Sequence, residues 1–160
     1  MLIASCKESD VKPSLIVDVT TSNGNIISLN GQWTSGCVTD MGNHLDEVFS
    51  FEDNNLLIDI SIFKEENCSE LAAKEKITIQ FYVVGTIKAQ LNGESVIANK
   101  IEGTQTMQSS GVTKEFKQIF YVNDSDGALI LHHARFQNDG GAQSSDGFPI
   151  ELIPIDIVKQ

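Results

Sequence analysis

The chain has almost no arginine and little positive charge of any kind. Arg135 is the single arginine, and 11 basic residues face 22 acidic ones, so the formal net charge is −11 and the pI is near 4.5. Such a chain repels phosphate backbones, which excludes nucleic acid as an expected partner. The acid excess fits a secreted protein that its charge keeps in solution.

Long hydrophobic runs and catalytic signatures are also missing. No apolar run approaches the ~20 residues that cross a bilayer, so membrane attachment would be through a lipid alone. The sequence contains no P-loop, no Gly-x-Ser-x-Gly elbow and no His-Glu-x-x-His. Acidic residues are common, but no pair stands out as a general acid and base. We therefore expect a protein that is not an enzyme, with no catalytic residue, cofactor or metal.

Two short stretches resemble metal sites and are predicted not to be. His132 and His133 are adjacent, and neighbours on a strand point to opposite faces, so they cannot share one ion; His44 is far away in the sequence. Residues 124–127, Asp-Ser-Asp-Gly, begin like a calcium loop but lack the glutamate of its twelfth position. We expect a plain turn there.

Alternation of apolar and polar residues recurs along most of the chain. Leu56, Ile58, Ile60 and Ile62 fall on one face of a strand, which is typical of a half-buried sheet. Asn-Gly pairs, which favour hairpin turns, occur at 23–24 and 92–93. About nine or ten short strands follow one another without an amphipathic helix.

These strands predict an all-β fold, an antiparallel barrel of about 8–10 strands with a β-sandwich as the alternative. Residues 14–160 form one predicted domain. Within it, 64–76 is predicted as a polar interruption with a helical turn at 69–74, 104–113 as a weak strand or loop, and 150–158 as the last strand.

Three cysteines are an odd number, and no Cys-x-x-Cys motif indicates a thiolate metal or redox site. Cys6 precedes every foldable segment. Cys37 and Cys68 both lie in the first half of the domain, close enough to bridge neighbouring strands. We expect these two to form a disulfide; two buried thiols in a cytosolic protein are the alternative.

The first residues resemble the end of a bacterial lipoprotein signal peptide. That pattern is an aliphatic residue, two small residues and the lipidated cysteine, matched by Ile3, Ala4, Ser5 and Cys6. The resemblance implies a lipid on Cys6, with 1–13 as the end of a truncated signal and a polar tether. It also implies a place in the bacterial cell envelope, on the outer membrane or secreted, with the leaflet left open.

A glycine and a tryptophan at the start of the strands resemble the lipocalin motif. In that family the glycine lets the chain enter the closed end of the barrel, the tryptophan plugs that end, and a late-strand arginine packs over the indole. The matching positions are Gly31, Trp33 and Arg135. The resemblance implies a lipocalin-like barrel.

The wider pattern is similar to a recurring type of bacterial secreted or lipoprotein domain. Its features are Gly-x-Trp-x-Ser followed by Cys37, a second cysteine about thirty residues later, and a late Pro-x-x-Leu at Pro149 and Leu152. A bridge between Cys37 and Cys68 differs from the usual lipocalin bridge to the C-terminal region, so this resemblance leaves the strand order open.

Two functions remain from the sequence. In the first, the barrel's interior or open mouth binds a small, partly apolar ligand. In the second, the core is filled and the surface binds an envelope protein or a glycan. An apolar cavity above Trp33 would favour the first, and a core packed shut by phenylalanines would favour the second. Those phenylalanines are Phe49, Phe51, Phe81, Phe116 and Phe120.

Overall fold

A computed structural model describes residues 16–136 and 141–160, and the predicted lipidation of Cys6 and the tether at 1–13 lie outside them. The described chain forms strands and connecting loops. Within these two ranges, no helix is long and apolar enough to cross a membrane. The strands are β1 (Val19–Thr20), β2 (Ile26–Ile27), β3 (Gly31–Thr34), β4 (Val38–Asp40), β5 (Asn43–Glu52), β6 (Asn55–Phe63), β7 (Leu71–Leu91), β8 (Glu94–Met107), β9 (Thr113–Asn123), β10 (Ile130–His133) and β11 (Ile157–Lys159).

Eight of these strands close into a ring of hydrogen bonds. In chain order, β3 pairs with β5, and the pairing continues through β6, β7, β8, β9 and β10 to β11, which returns to β3. Every pairing in the ring is antiparallel. The predicted all-β antiparallel barrel is confirmed, and its strands follow the order of the sequence. Closure gives each strand of the ring a neighbour on both sides, so the ring has no edge strand.

The centre of the barrel is filled by aromatic side chains. Trp33 and Phe51 lie 6.4 Å apart, Phe51 and Phe81 5.9 Å, and Phe81 and Phe120 6.3 Å between ring centroids, all near edge-to-face. Such contacts add about 0.5–1.5 kcal/mol each to the burial of the rings. The five phenylalanines singled out in the sequence are each exposed by 5% or less. The space beside Trp33 is therefore occupied by protein.

The polar stretch after β6 is a loop over 64–70, so the predicted interruption ends at 70 and not at 76, and the predicted helical turn at 69–74 is wrong. β7 begins at Leu71 and pairs with β6 along its first half. Its first residues, 71–76, are largely exposed on both faces of the strand. Pairing with an apolar neighbour supplies the backbone bonds, so polar residues are tolerated in the strand.

The limits of two other segments also differ from expectation. β8 continues to Met107 and β9 begins at Thr113, so the predicted loop at 104–113 shrinks to 108–112. The predicted last strand at 150–158 is reduced to β11. The hairpin signal at 92–93 is confirmed: Asn92 and Gly93 both have positive φ, 52° and 80°, in the turn between β7 and β8.

The segment 141–153 packs on the outside of the barrel against the far half of β7 and β8. The backbone of Gln90 accepts from Leu152 N at 2.9 Å and donates to Ile150 O at 2.8 Å. Phe148 lies between the ammonium groups of Lys100 and Lys117, each 5.0 Å from its ring. A second apolar cluster results, formed by Ala89, Ala98, Ile119, Ala134, Phe148 and Leu152.

The hairpin of β1 and β2 is attached to the barrel by the Asn99 side chain, by a backbone bond from Ser22 to Val122, and by the carboxylate of Asp124. Asp124 accepts hydrogen bonds from Thr21 Oγ1 at 2.6 Å, Ser22 Oγ at 2.8 Å and Asn25 Nδ2 at 2.9 Å. These bonds, first that of Thr21, hold the pKa of Asp124 far below its ordinary value. The Asp-Ser-Asp-Gly stretch is thus a turn that holds the hairpin.

We predict that Asp124→Ala loosens the turn of this hairpin, whose strand β1 keeps its bonds to Asn99. Limited proteolysis should then cut residues 16–30 several-fold faster, whereas Asp126→Ala, which changes a carboxylate of the same turn, should leave the rate unchanged. Because the folded pKa is lowered, the carboxylate's contribution is complete above its unfolded pKa of about 4 and is lost as the pH falls towards the folded value. Equal cleavage rates in the two variants would contradict this role.

Candidate functional site

Trp33 lies in the core of the barrel, on the first strand of the ring. Its side chain is fully buried, and its indole Nε1 donates to the carbonyl of Leu29 at 2.8 Å. Gly31 has a φ of 117°, a conformation that other residues adopt at a cost. The stem of Lys159 lies 3.5 Å from the place where a side chain at Gly31 would begin.

The cation over the indole is Lys159, and the assignment of Arg135 to that place is wrong. Lys159 is the register partner of Trp33, and its Nζ lies 5.4 Å from the ring centroid. Arg135 instead forms two hydrogen bonds with Asp40, at 2.5 and 3.0 Å. The Arg135 hydrogen bond lowers the pKa of Asp40 despite partial burial, so the pair stays charged.

The predicted disulfide between Cys37 and Cys68 is confirmed. The two Cα atoms are 5.9 Å apart, and 31 positions separate the residues in the sequence. Cys37 lies between β3 and β4, whereas Cys68 lies between β6 and β7. The bond therefore links the loop after β3 to the loop after β6.

His132 and His133 contact different acids on different sides of β10. His132 Nε2 is 3.4 Å from Asp156, and burial lowers the pKa of His132. His133 points inward, where its Nε2 is 3.4 Å from Glu47 and its ring is 5.2 Å from Phe49. Within the described ranges, no group of three or more histidine, cysteine or acidic side chains is placed to hold a metal ion.

A cleft of about 770 Å³ lies against β7, β8 and β9. It is half open to solvent, and its walls combine inward-facing side chains of the barrel with polar residues of the outer surface. The segment after β10 and the outer segment 141–153 complete it. The lining residues are Asn54, Gln80, Phe81, Tyr82, Glu102, Gly103, Thr104, Gln105, Lys114, Glu115, Phe116, Lys117, Arg135, Phe136, Gly147 and Pro149.

Strand register explains which side chains meet in the cleft. Gly103 on β8 is paired with Phe81 on β7 and with Phe116 on β9, so the two rings flank a position without a side chain. The next inward position of β8 is Gln105. Directly opposite residues of antiparallel strands share a face, which makes these positions one continuous surface.

The apolar wall of the cleft is a chain of rings in contact, of which one pair is stacked. Phe116 and Phe136 are stacked, with centroids 6.0 Å apart and planes 11° apart. Phe136 in turn lies 4.7 Å from His133 and 6.1 Å from Phe49. Phe136 is only half-buried, so the wall connects the buried core to a ring that solvent can reach.

Gln105 is the one buried polar residue in the lining of the cleft, and the sequence did not single it out. It is exposed by 4%, yet it falls in the stretch 104–113 that was predicted as a weak strand or loop. The available signal was alternation: Ile101, Gly103, Gln105 and Met107 continue the inward face of β8, and a glutamine there is out of pattern.

A second, smaller cleft of about 440 Å³ lies beside the first hairpin. Hydroxyl-bearing side chains and Tyr121 line it. Tyr121 stacks on His132 with centroids 6.1 Å apart, so this cleft lies on the outer surface. Its lining residues are Thr20, Thr21, Ser22, Gly24, Thr86, Ser95, Val96, Ile97 and Tyr121.

The fold and site together define a closed antiparallel β-barrel with a filled centre and an aromatic cleft in its wall. No protein-family model matches the chain, and no curated protein matches it.

Proposed function

We propose that this protein binds a small, partly apolar ligand in the cleft formed by β7, β8 and β9. The cleft carries the proposal because its volume lies within the range of small-molecule sites. Phe136, which is half-buried, supplies apolar surface, the buried rings of Phe81 and Phe116 lie behind it, and Gln105 is a polar side chain among them. This combination is typical of a site that binds apolar surface and orients it with a few polar contacts.

The ligand site lies in the wall of the barrel and not above Trp33. The rings of Phe51, Phe81 and Phe120 fill the centre, so a ligand there would have to displace packed side chains. Displacing such rings costs several kcal/mol, since interiors are packed to crystal density. The cleft needs no such displacement.

We further propose that the protein acts in the bacterial cell envelope, held by a lipid on Cys6. The disulfide supports an oxidising compartment, because such bonds form and persist outside the cytosol. The sequence Ile3-Ala4-Ser5-Cys6 supports lipidation. Its contact with the membrane would then be through the lipid, and the net charge of −11 disfavours nucleic acid.

Binding in the cleft is tested with the neutral fluorophore N-phenylnaphthylamine. Phe136→Ala should weaken its binding about tenfold, since one aromatic contact contributes about 1.4 kcal/mol. Tyr121→Ala is the matched control, because it removes a half-buried ring from the other cleft and should leave the affinity unchanged. Equal loss in both variants, or no saturable binding by the wild type, would overturn the proposal.

Lipidation is tested by native mass spectrometry of the protein purified from the cell that makes it. We expect a mass that includes lipid on Cys6, one disulfide and a retained small molecule. A bare Cys6 together with free Cys37 and Cys68 would refute the envelope location.

The filled centre favours one other function, binding of an envelope protein or glycan through the outer surface. Trp33, Phe49 and Phe81 are all exposed by 1% or less, so the interior provides a rigid support. Absence of any small molecule in both experiments, with stable capture of an envelope component, would favour this alternative.

A further inference from the structure

Gln105 is a buried polar side chain at an inward position of the barrel. Its neighbours across the ladder are Ile79 on β7 and Lys114 on β9. The side chain is exposed by 4%, and among the described residues its Oε1 has no hydrogen-bond partner. It is the one buried side-chain oxygen or nitrogen of the described chain in this condition.

An unpaired buried acceptor reduces stability, and the great majority of buried polar atoms have a partner. A methionine would fill the same volume beside Ile79 without that cost. The amide also lies in the cleft, one inward position from Gly103 and the rings of Phe81 and Phe116. Because Gln105 lines the cleft, a turn of its side chain would bring the buried Oε1 to a bound molecule.

We infer that Gln105 Oε1 accepts a hydrogen bond from an N–H or O–H group of the ligand, next to a flat apolar group that packs on Phe116 and Phe136. The inference rests on the proposed function of the cleft and adds the chemistry that the cleft selects. A ligand without the donor leaves the acceptor unpaired and binds less well.

The same surroundings indicate a ligand without net charge. Arg135 of the lining is bound by Asp40, and the other charged residues of the lining are two lysines and two glutamates. They are Lys114, Lys117, Glu102 and Glu115. Neither sign of charge is favoured by the lining. The class is thus a neutral, flat molecule that carries one donor.

Indole, skatole and N-methylindole test this inference as matched probes. Skatole and N-methylindole have the same size, but only skatole keeps the N–H. Protein-observed NMR should show indole and skatole shifting Phe116, Phe136 and the side-chain amide of Gln105, with affinities about three- to tenfold higher than that of N-methylindole.

Gln105→Met should abolish this preference and bind all three probes alike. Its urea midpoint should equal or exceed that of the wild type, since an unpaired acceptor is removed. Gln105→Asn, which shortens the side chain, should also lose the preference and guards against misfolding of the first variant.

Equal affinity of the wild type for skatole and N-methylindole would overturn the inference and leave the proposed function standing. A preference that persists in Gln105→Met would overturn it as well, because another group would then accept the N–H. If none of the probes shifts the cleft, and N-phenylnaphthylamine also fails to bind, the proposed function fails together with the inference.

Discussion

Replacing Gly103 with alanine should lower the free energy of unfolding by about 3 kcal/mol or more. A Cβ at this position would lie 1.8 Å from the carbonyl oxygen of Gln80 and 2.9 Å from the Cα of Phe81. Both atoms belong to the backbone of β7, so no side-chain rotation relieves the contact. β7 and β8 would have to separate at this point, within the ladder that joins them.

Gly141→Ala is the matched control for this change. Gly141 has no heavy atom within 4 Å of the place of a new Cβ and no positive φ, so its replacement should alter stability by less than about 0.5 kcal/mol. Urea unfolding followed by tryptophan fluorescence reports both variants, because Trp33 is the only tryptophan. A Gly103→Ala protein with the control's midpoint would show that the strands move apart easily.

Local patterns in the sequence were sufficient for the strands and turns but not for the closure of the ring. Alternation at Leu56 and Ile58 places both residues in the core, and the turn at 92–93 forms as its Asn-Gly pair predicts. By contrast, β11 has three residues, and its pairing with β3 joins opposite ends of the chain. No local signal specifies such a partner.

The cation over Trp33 also depends on closure of the ring and not on a local pattern. The sequence has one arginine on a late strand, so Arg135 was the natural candidate for the place over Trp33. The position is set by register: Lys159 pairs directly with Trp33 across the closing ladder. Arg135 follows the end of β10 and meets Asp40 from β4 instead. The sequence predicted that a cation lies over Trp33, but which cation lies there depends on how the barrel closes.

The cleft was not predictable for a further reason. Gln105 acquires its burial from β7 and β9 on either side, and the sequence around it is polar enough to be assigned to a loop. Once strands 94–107 and 113–123 are paired, a glutamine at an inward position becomes exceptional. Tertiary pairing thus overrides the weak strand propensity of the stretch.

Loss of the disulfide is the second large effect that we expect. Replacing both Cys37 and Cys68 with serine frees a loop closed across 31 positions, and the chain-entropy relation gives about 3–4 kcal/mol for such a loop. Much of the stability of an average domain, about 5–15 kcal/mol, would be removed. The connections after β3 and β6 should loosen first, since the bond joins them directly.

Urea unfolding with and without a phosphine reductant measures this loss. Reductant should lower the midpoint of the wild type to that of the Cys37→Ser, Cys68→Ser double variant, and it should leave the double variant unchanged, which excludes an effect on any other group. Hydrogen exchange should speed up in β4 and in the first residues of β7, while the ladder between β8 and β9 keeps its protection. A reduced wild type with an unshifted midpoint would show that the ring of strands alone determines stability, and that the bond matters for the compartment and not for the fold.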